Sequence, residues 1–180
     1  MIQGISASLQ GLSAAEQRMD ALADDVANVN TNGFKSSLSD AQGPIVQTGQ
    51  PLDLAVEGSG RFLVGNGRLT RDGAFQLDAS AQIVTSEGES LMPPVQLPAG
   101  TDASAVEIGP DGSVRVGGVQ VGQIQLVGRG TIRQGALEGS NVDLADNAVG
   151  QIQARTSYSA ALKALHVQDE MWASLMQVRQ

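Results

Sequence analysis

The chain has 180 residues, a formal net charge of −8, 3% aromatic residues and 22 glycines, a composition that excludes a large core centred on aromatic side chains. Lysine and arginine never occur in runs, so the sequence offers no surface for tracking nucleic-acid phosphates or an anionic membrane. Cysteine is absent, which also excludes disulfides, a thiolate nucleophile and cysteine-ligated metal sites.

The first 29 residues carry a seven-residue apolar repeat. Two interleaved series have the a and d spacing of a helix seam and predict a helix of roughly 25 residues. The first series is Ile5, Leu12, Met19 and Val26, and the second, headed by Ser8, is Ala15, Leu22 and Val29. The helix should end near residues 30–33, where asparagine and glycine favour left-handed backbone geometry.

The middle of the chain has a different composition and a different pattern of apolar residues. All six prolines lie between residues 44 and 110, and several short segments alternate apolar and polar residues. These segments predict strands at 52–56, 61–64, 74–77, 113–116 and 123–127, separated by glycine-containing turns. The middle is therefore expected to be a glycine-rich, mostly antiparallel β domain, and the fold class to be α+β.

The last forty residues predict a second long helix. Ser140 or Asn141 is the expected N-cap, with Asp143 in the first turn, and no proline follows. Apolar residues recur at three-, four- and seven-residue spacings and form one stripe. The stripe consists of Leu144, Ala148, Ile152, Tyr158, Leu162, Leu165, Trp172, Leu175 and Met176.

Two arrangements of these helices are open at this point. The stripes can pack against each other within one chain, or each can pack against neighbouring chains to form a fibre or tube. The scarcity of aromatic and large apolar residues in the β segment favours packing between chains slightly.

Residues with catalytic potential are few. The single histidine, His166, has no cysteine or second histidine with which to bind zinc, and no nucleophile motif accompanies it. The adjacent acids Asp24–Asp25 and Asp169–Glu170 point in different directions on a helix, and both pairs are expected to face solvent. We therefore expect no enzyme and predict no catalytic, cofactor-binding or metal-binding residue.

Residues 26–35 read Val-Ala-Asn-Val-Asn-Thr-Asn-Gly-Phe-Lys, and this segment closely resembles the signature of the bacterial flagellar rod and hook proteins. That family has a heptad-bearing N-terminal helix followed by an Asn-x-Asn-Thr-x-Gly-Phe/Tyr turn. Residues 137–144, Leu-Glu-Gly-Ser-Asn-Val-Asp-Leu, are similar to its entry into the C-terminal helix. The signature turn comprises Asn28, Asn30, Thr31, Asn32, Gly33 and Phe34.

The middle of the chain indicates which members of this family the sequence resembles most. Residues 48–62, 69–75 and 92–94 resemble rod proteins of the distal-rod type and their close paralogue in the proximal rod. Two departures are visible: Asp24–Asp25 stands where the family commonly has two asparagines, and the β region is shorter than in most distal-rod members.

The resemblance implies three parts: an N-terminal helix with the signature turn at 1–35, a β-rich outer domain at 36–136 and a C-terminal helix at 137–180. It implies a structural subunit of the flagellar rod in the basal body, exported by the flagellar type III system without a cleaved signal peptide.

The implied partners are copies of the same chain, other rod and hook subunits and the export apparatus, without nucleic acid, cofactor or small-molecule substrate. Candidate assembly-interface residues are Ile5, Leu12, Met19, Leu22, Val26, Val29, Leu144, Ile152, Tyr158, Leu162, Leu165, Trp172 and Leu175. The alternatives are a secreted β-rich binding module with a self-contained helical hairpin, and a hook-type axial subunit. A binding module would be recognised by an exposed aromatic platform.

Overall fold

Two long helices and a set of short antiparallel strands make up the computed structural model, which confirms the α+β class. The structure describes residues 2–65 and 67–178, without the side chains of residues 2–5, 175 and 178. It divides into a helical unit, Met1–Ala27 with Asp143–Gln180, and a β unit, Asn28–Val142. Residues 28–35 and 137–142, which flank the helices, thus belong to the β unit.

The helical unit consists of α1, Ile2–Ala27, and α2, Leu144–Val178. The helices run antiparallel, because Leu22 lies against Gly150 while Gly11 lies close to Ala161. Part of the α1 seam, Ala15 and Leu22, is therefore buried within the chain, whereas Val26 is exposed, so packing between chains stays a prediction. Small residues on α2 explain the burial within the chain, since they let α1 approach closely.

Both helix boundaries differ from the predictions. Helix α1 ends at Ala27, and the asparagine-rich turn begins directly after it. At the start of α2, the side chain of Asp143 accepts hydrogen bonds from the backbone N–H groups of Ala145 (2.7 Å) and Asp146 (3.2 Å). Asp143 is thus the N-cap, and the prediction of Ser140 or Asn141 was wrong.

The prediction that Asp24 and Asp25 both face solvent was wrong for Asp25. Asp24 is exposed as expected, but Asp25 is only 1% exposed in the helical unit. A heptad seam alternates steps of three and four residues, so Asp25 follows Leu22 onto the buried face.

The β unit contains twelve strands within its described residues. They are β1 (Ile45–Gln47), β2 (Leu54–Gly58), β3 (Arg61–Val64), β4 (Arg68–Thr70), β5 (Phe75–Leu77), β6 (Ile83–Thr85), β7 (Val106–Ile108), β8 (Ser113–Val116), β9 (Val119–Gln123), β10 (Leu126–Val127), β11 (Gly130–Gln134) and β12 (Ala136–Glu138). A single 3₁₀ turn, Ala103–Ala105, precedes β7.

All strand pairs are antiparallel. The sheets have the orders β1-β12, β10-β3-β4, β11-β2, β5-β6 and β7-β8-β9. Strands β1 and β2 pair with β12 and β11, so the two ends of the β unit lie side by side.

The core of the β unit is built from alternate residues of these short strands. Phe62 and Phe75 pack edge to face with ring centroids 5.1 Å apart, and aliphatic side chains surround them. The buried members include Leu54, Val56, Val64, Ile83, Leu91, Val95, Val114, Ile124 and Ile132.

The predicted strands agree with the observed ones to different degrees. Segments 61–64 and 113–116 match β3 and β8, and segments 52–56 and 74–77 overlap β2 and β5. The segment 123–127 is divided between the end of β9 and β10, because the N–H of Ile124 donates to the carbonyl of Gly112 instead of continuing the strand. No helix among the described residues is both long and apolar enough to cross a membrane.

Candidate assembly interface

The helical unit buries one face of each helix. Leu22 is fully buried, and its two methyl groups lie 3.1 and 3.2 Å from the position that a Cβ on Gly150 would occupy. Asn147, 1% exposed, donates from Nδ2 to the carbonyl of Leu22 at 3.0 Å, and Gln151 donates to its Oδ1 at 2.9 Å. These contacts hold α1 against α2 within a single chain.

The predicted interface residues fall into three groups. Leu12, Met19, Tyr158 and Leu165 are half-buried and Leu22 is buried, whereas Val26, Leu144, Ile152, Leu162 and Trp172 are exposed. Val29 is half-buried in the turn that follows α1, and the side chains of Ile5 and Leu175 lie outside the described part of the structure. The predicted interface set therefore combines residues that lie towards the other helix with residues that face solvent.

Exposed apolar side chains are concentrated on the helical unit. Of the sixteen large apolar side chains that are exposed among the described residues, ten belong to α1 and α2, which are much shorter in total than the β unit. They are Leu9, Val26, Leu144, Val149, Ile152, Leu162, Val167, Met171, Trp172 and Met176. Such a concentration of exposed apolar side chains is typical of interaction surfaces.

The sequence analysis missed Leu9, Val149, Val167 and Met171 as exposed residues. They lie off the single stripe that the heptad spacing defines, and Ile152, which was assigned to that stripe, is 65% exposed. The helix pair presents apolar residues on several sides, a distribution that one stripe does not describe.

The signature turn packs against the β unit. Gly33 has a left-handed backbone with φ of +67°, its N–H donates to the carbonyl of Glu138 at 2.7 Å, and a Cβ there would overlap the carbonyl group of Arg71. Only glycine fits this position without displacing backbone.

A buried ion triad lies beneath the turn. The fully buried carboxylate of Glu138 accepts from Lys35 Nζ at 2.6 Å, Arg71 Nε at 2.8 Å and the N–H of Gly43 at 3.0 Å. Arg71 also donates to the carbonyls of Val56 and Gly58. The three sequence blocks around residues 35, 71 and 138 therefore meet at one carboxylate, a cluster that the sequence analysis did not identify.

Asn141 fixes the segment that follows the turn. Its Oδ1 accepts from the N–H of Ser36 at 2.6 Å, and its Nδ2 donates to the carbonyls of Ser39 and Ala41 at 2.7 Å each. Asn141, which was expected to cap the helix, thus holds residues 36–41 by hydrogen bonds.

A shallow cavity of about 340 Å³ borders the turn and is lined by Phe34, Arg61, Arg68, Thr85 and Glu87, among others. Arg68 bonds Glu89 and Glu87, and these contacts, the hydrogen bond to Glu89 foremost, raise the pKa of its guanidinium. Within residues 2–65 and 67–178, no cluster of three or more histidines and acids could hold a metal ion. The cavity contains paired surface charges and no arrangement typical of catalysis.

These features define a class of protein: an α+β chain whose helix pair exposes large apolar side chains. Three family models match consecutive parts of it: the flagella basal body rod protein model over residues 5–35, the flagellar hook protein FlgE/F/G D1 domain over 55–116, and the flagellar basal body rod FlgEFG protein C-terminal model over 133–178.

Curated relatives agree with the family models. The chain is 26% identical to the flagellar basal-body rod protein FlgG of Buchnera aphidicola subsp. Schizaphis graminum, over 99% of this chain and all of that protein. It is 24% identical to FlgG of Bacillus subtilis over the same shares, and 30% identical to FlgF of Rhizobium meliloti over 70% of this chain and 65% of that protein. The alignment with the Buchnera protein has 262 positions, so at least 82 of them have no counterpart in this chain of 180 residues.

The chain belongs to the flagellar basal-body rod protein family. It is a structural subunit of the flagellar basal-body rod, and flagellar rod proteins are structural proteins, not enzymes. Rod proteins assemble with other flagellar rod and hook subunits.

Proposed function

We propose that this rod subunit assembles with further copies of itself through the exposed apolar side chains of its helical unit. The supporting observation is the concentration of exposed large apolar residues on α1 and α2, of which Leu144, Ile152 and Met176 are more than half exposed. Removing such side chains from water stabilises a contact by about 25 cal/mol per Å² of buried apolar area.

The proposal includes export as an unfolded chain through the flagellar type III apparatus, without a cleaved signal peptide. The packing of the helical unit supports this route. Among its described residues, Leu22 is the only large apolar side chain that is buried, and the other buried apolar residues are Ala15 and Ala154. A helix pair with so little buried apolar surface is only marginally stable by itself and can unfold readily.

The β-rich binding module has less support. Such a module would need exposed aromatic side chains, but Phe62 and Phe75 are buried in the core and Phe34 is half-buried in the signature turn. No other aromatic residue occurs between residues 28 and 142.

Substitution of Ile152 tests the assembly proposal. Ile152→Asp should abolish assembly, because it places a charge in an apolar contact at a cost of about 2 kcal/mol or more per subunit, repeated at every copy. Ile152 is exposed, so the monomer should keep its helical content. Assembly of the purified full chain would be measured by analytical ultracentrifugation and electron microscopy at increasing concentration.

Ile152→Leu is the matched control and should assemble like the original chain, because it keeps the apolar area. If Ile152→Asp assembled normally, the exposed apolar side chains of the helical unit would not form the contact between subunits. A chain that forms no oligomer at any concentration would contradict self-assembly itself.

A further inference from the structure

We propose that Gly150 and Asn147 are positioning residues that set the register between α1 and α2 by contacting Leu22 at two points. Asn147 holds the carbonyl of Leu22, and Gly150 accommodates its side chain. The register decides which exposed residues of α1 lie beside which exposed residues of α2, and therefore the shape of the surface that the helical unit offers.

The first point of contact is steric. Gly150 is the only glycine in α2, and the methyl groups of Leu22 would lie closer to an added Cβ than ordinary van der Waals contact allows, so the leucine would have to shift. Leu22 is in turn the only large apolar residue that is buried among the described residues of the helical unit. A large side chain thus meets the only position of α2 that has no side chain, in the manner of a knob in a hole.

The second point of contact is polar. Asn147 lies three residues before Gly150 and hence on the same face of α2. Its Nδ2 donates to the carbonyl of Leu22 at 3.0 Å, while Gln151 occupies its Oδ1 at 2.9 Å, so the amide is fixed in orientation. A buried asparagine in a helix seam favours one register at some cost in stability.

The other contacts between the helices are less specific. Gly11, Ala15, Ala154 and Ala161 are small, so their contacts distinguish one register from another only weakly. The hydrogen bond from Arg18 to Gln153 Oε1, at 3.3 Å, joins two exposed side chains. A slide of one helix by a turn moves Leu22 from Gly150 towards a residue with a Cβ. The contacts of Leu22 therefore distinguish the native register from its neighbours.

Disulfide trapping in the full chain tests this, since the protein has no cysteine of its own. An added Cβ on Gly11 lies 3.7 Å from the Cβ of Ala161, close to the mean separation of about 3.8 Å in disulfides. The pair Gly11→Cys and Ala161→Cys therefore reports the native register. Ser8→Cys or Ala15→Cys, each combined with Ala161→Cys, reports a slide of one turn in either direction.

In the original background we expect the native pair to oxidise about tenfold faster than either shifted pair, because its geometry alone suits the bond. Gly150→Leu should lower this ratio about fivefold or more, and Leu22→Ala combined with Gly150→Leu should restore it, because the large side chain then comes from the other helix. Asn147→Ala should lower the ratio while helical circular dichroism persists. Ser159→Ala, at an exposed position of α2, should leave it unchanged.

An unchanged ratio in both Gly150→Leu and Asn147→Ala would overturn the proposal, and so would failure of the double variant to restore it. Loss of all helical signal in Asn147→Ala would also overturn the role of Asn147, because it would make that residue a stabilising one only. None of these outcomes depends on whether the chain assembles.

Discussion

Gly33 illustrates how one residue constrains the β unit. It and Gly49 both have left-handed backbone conformations, with φ of +67° and +72°. A Cβ added to Gly33 would meet the backbone of Arg71, whereas nothing lies within 4 Å of the position that a Cβ on Gly49 would occupy. Gly33→Ala should therefore cost clearly more than the roughly 1–2 kcal/mol that a left-handed alanine costs by itself. Amide hydrogen exchange of the β-unit core would measure the difference.

Gly49→Ala is the matched control, and its loss should stay within about 1–2 kcal/mol. Equal losses in the two variants would mean that the turn moves away from Arg71 at little cost. The signature turn would then not be a rigid joint.

Glu138 is the second residue on which the turn depends. Glu138→Gln should destabilise the β unit by about 3–5 kcal/mol, because it leaves the cations of Lys35 and Arg71 without a counter-charge in a buried site. Denaturation in urea would measure the loss as a fall in the free energy of unfolding. Hydrogen exchange of the amides in β2 and β12 would show that the loss lies in the β unit.

The exposed pair Glu57–Arg133 provides the comparison, at 3.0 Å and about half exposed on both sides. Glu57→Gln should cost less than about 1 kcal/mol, because solvent screens such a pair. A similarly small loss in Glu138→Gln would mean that water reaches the triad once the charge is removed.

At the scale of elements, the start of α2 depends on Asp143. Asp143→Ala should cost about 0.5–2 kcal/mol of helix stability, because two N–H groups lose their acceptor. Ser140→Ala should change little, since the hydroxyl of Ser140 accepts only from the N–H of Val142 at 3.3 Å. Thermal melting of the helical circular-dichroism signal would compare the two, and a larger loss in Ser140→Ala would reassign the cap.

The long elements were predictable because many residues repeat one signal. The heptads of α1 and the stripe of α2 define both helices, although Ser140, Asn141 and Asp143 are all good caps and only the hydrogen bonds distinguish them. Strands β1, β4, β6, β7 and β12 have three residues each and were missed, because three residues are too few to establish alternation. The five-residue strand β11 was missed as well, because Ile132 is its only apolar side chain of any size.

The turn was predictable and its surroundings were not. Gly33 in a left-handed conformation follows from the Asn-Thr-Asn-Gly sequence, whereas Glu138 lies more than a hundred residues away from Lys35 and has no local pattern. The helix seam had a similar limit: its period establishes that Leu22 is buried but does not identify Gly150 as the contact.

At the scale of the whole molecule, the two units have different surfaces. Exposed apolar side chains are concentrated on the helical unit, while the β unit keeps a closed core and an ion triad that anchors the turn. Contact between two subunits through their helices brings together two chains that each carry a net charge of −8.

This charge predicts the salt dependence of assembly. Repulsion between like-charged chains acts over about 30 Å at 0.01 M salt and only about 8 Å at 0.15 M. If apolar side chains such as Ile152 and Trp172 form the contact, added sodium chloride should lower the protein concentration at which oligomers appear, because it screens the repulsion and leaves the apolar contact intact. Sedimentation velocity over this range of salt would measure the threshold. A threshold that rises with salt would instead assign the contact to ion pairs between subunits, and the exposed charges of Arg61, Arg115 and Arg129 would then be the residues to substitute.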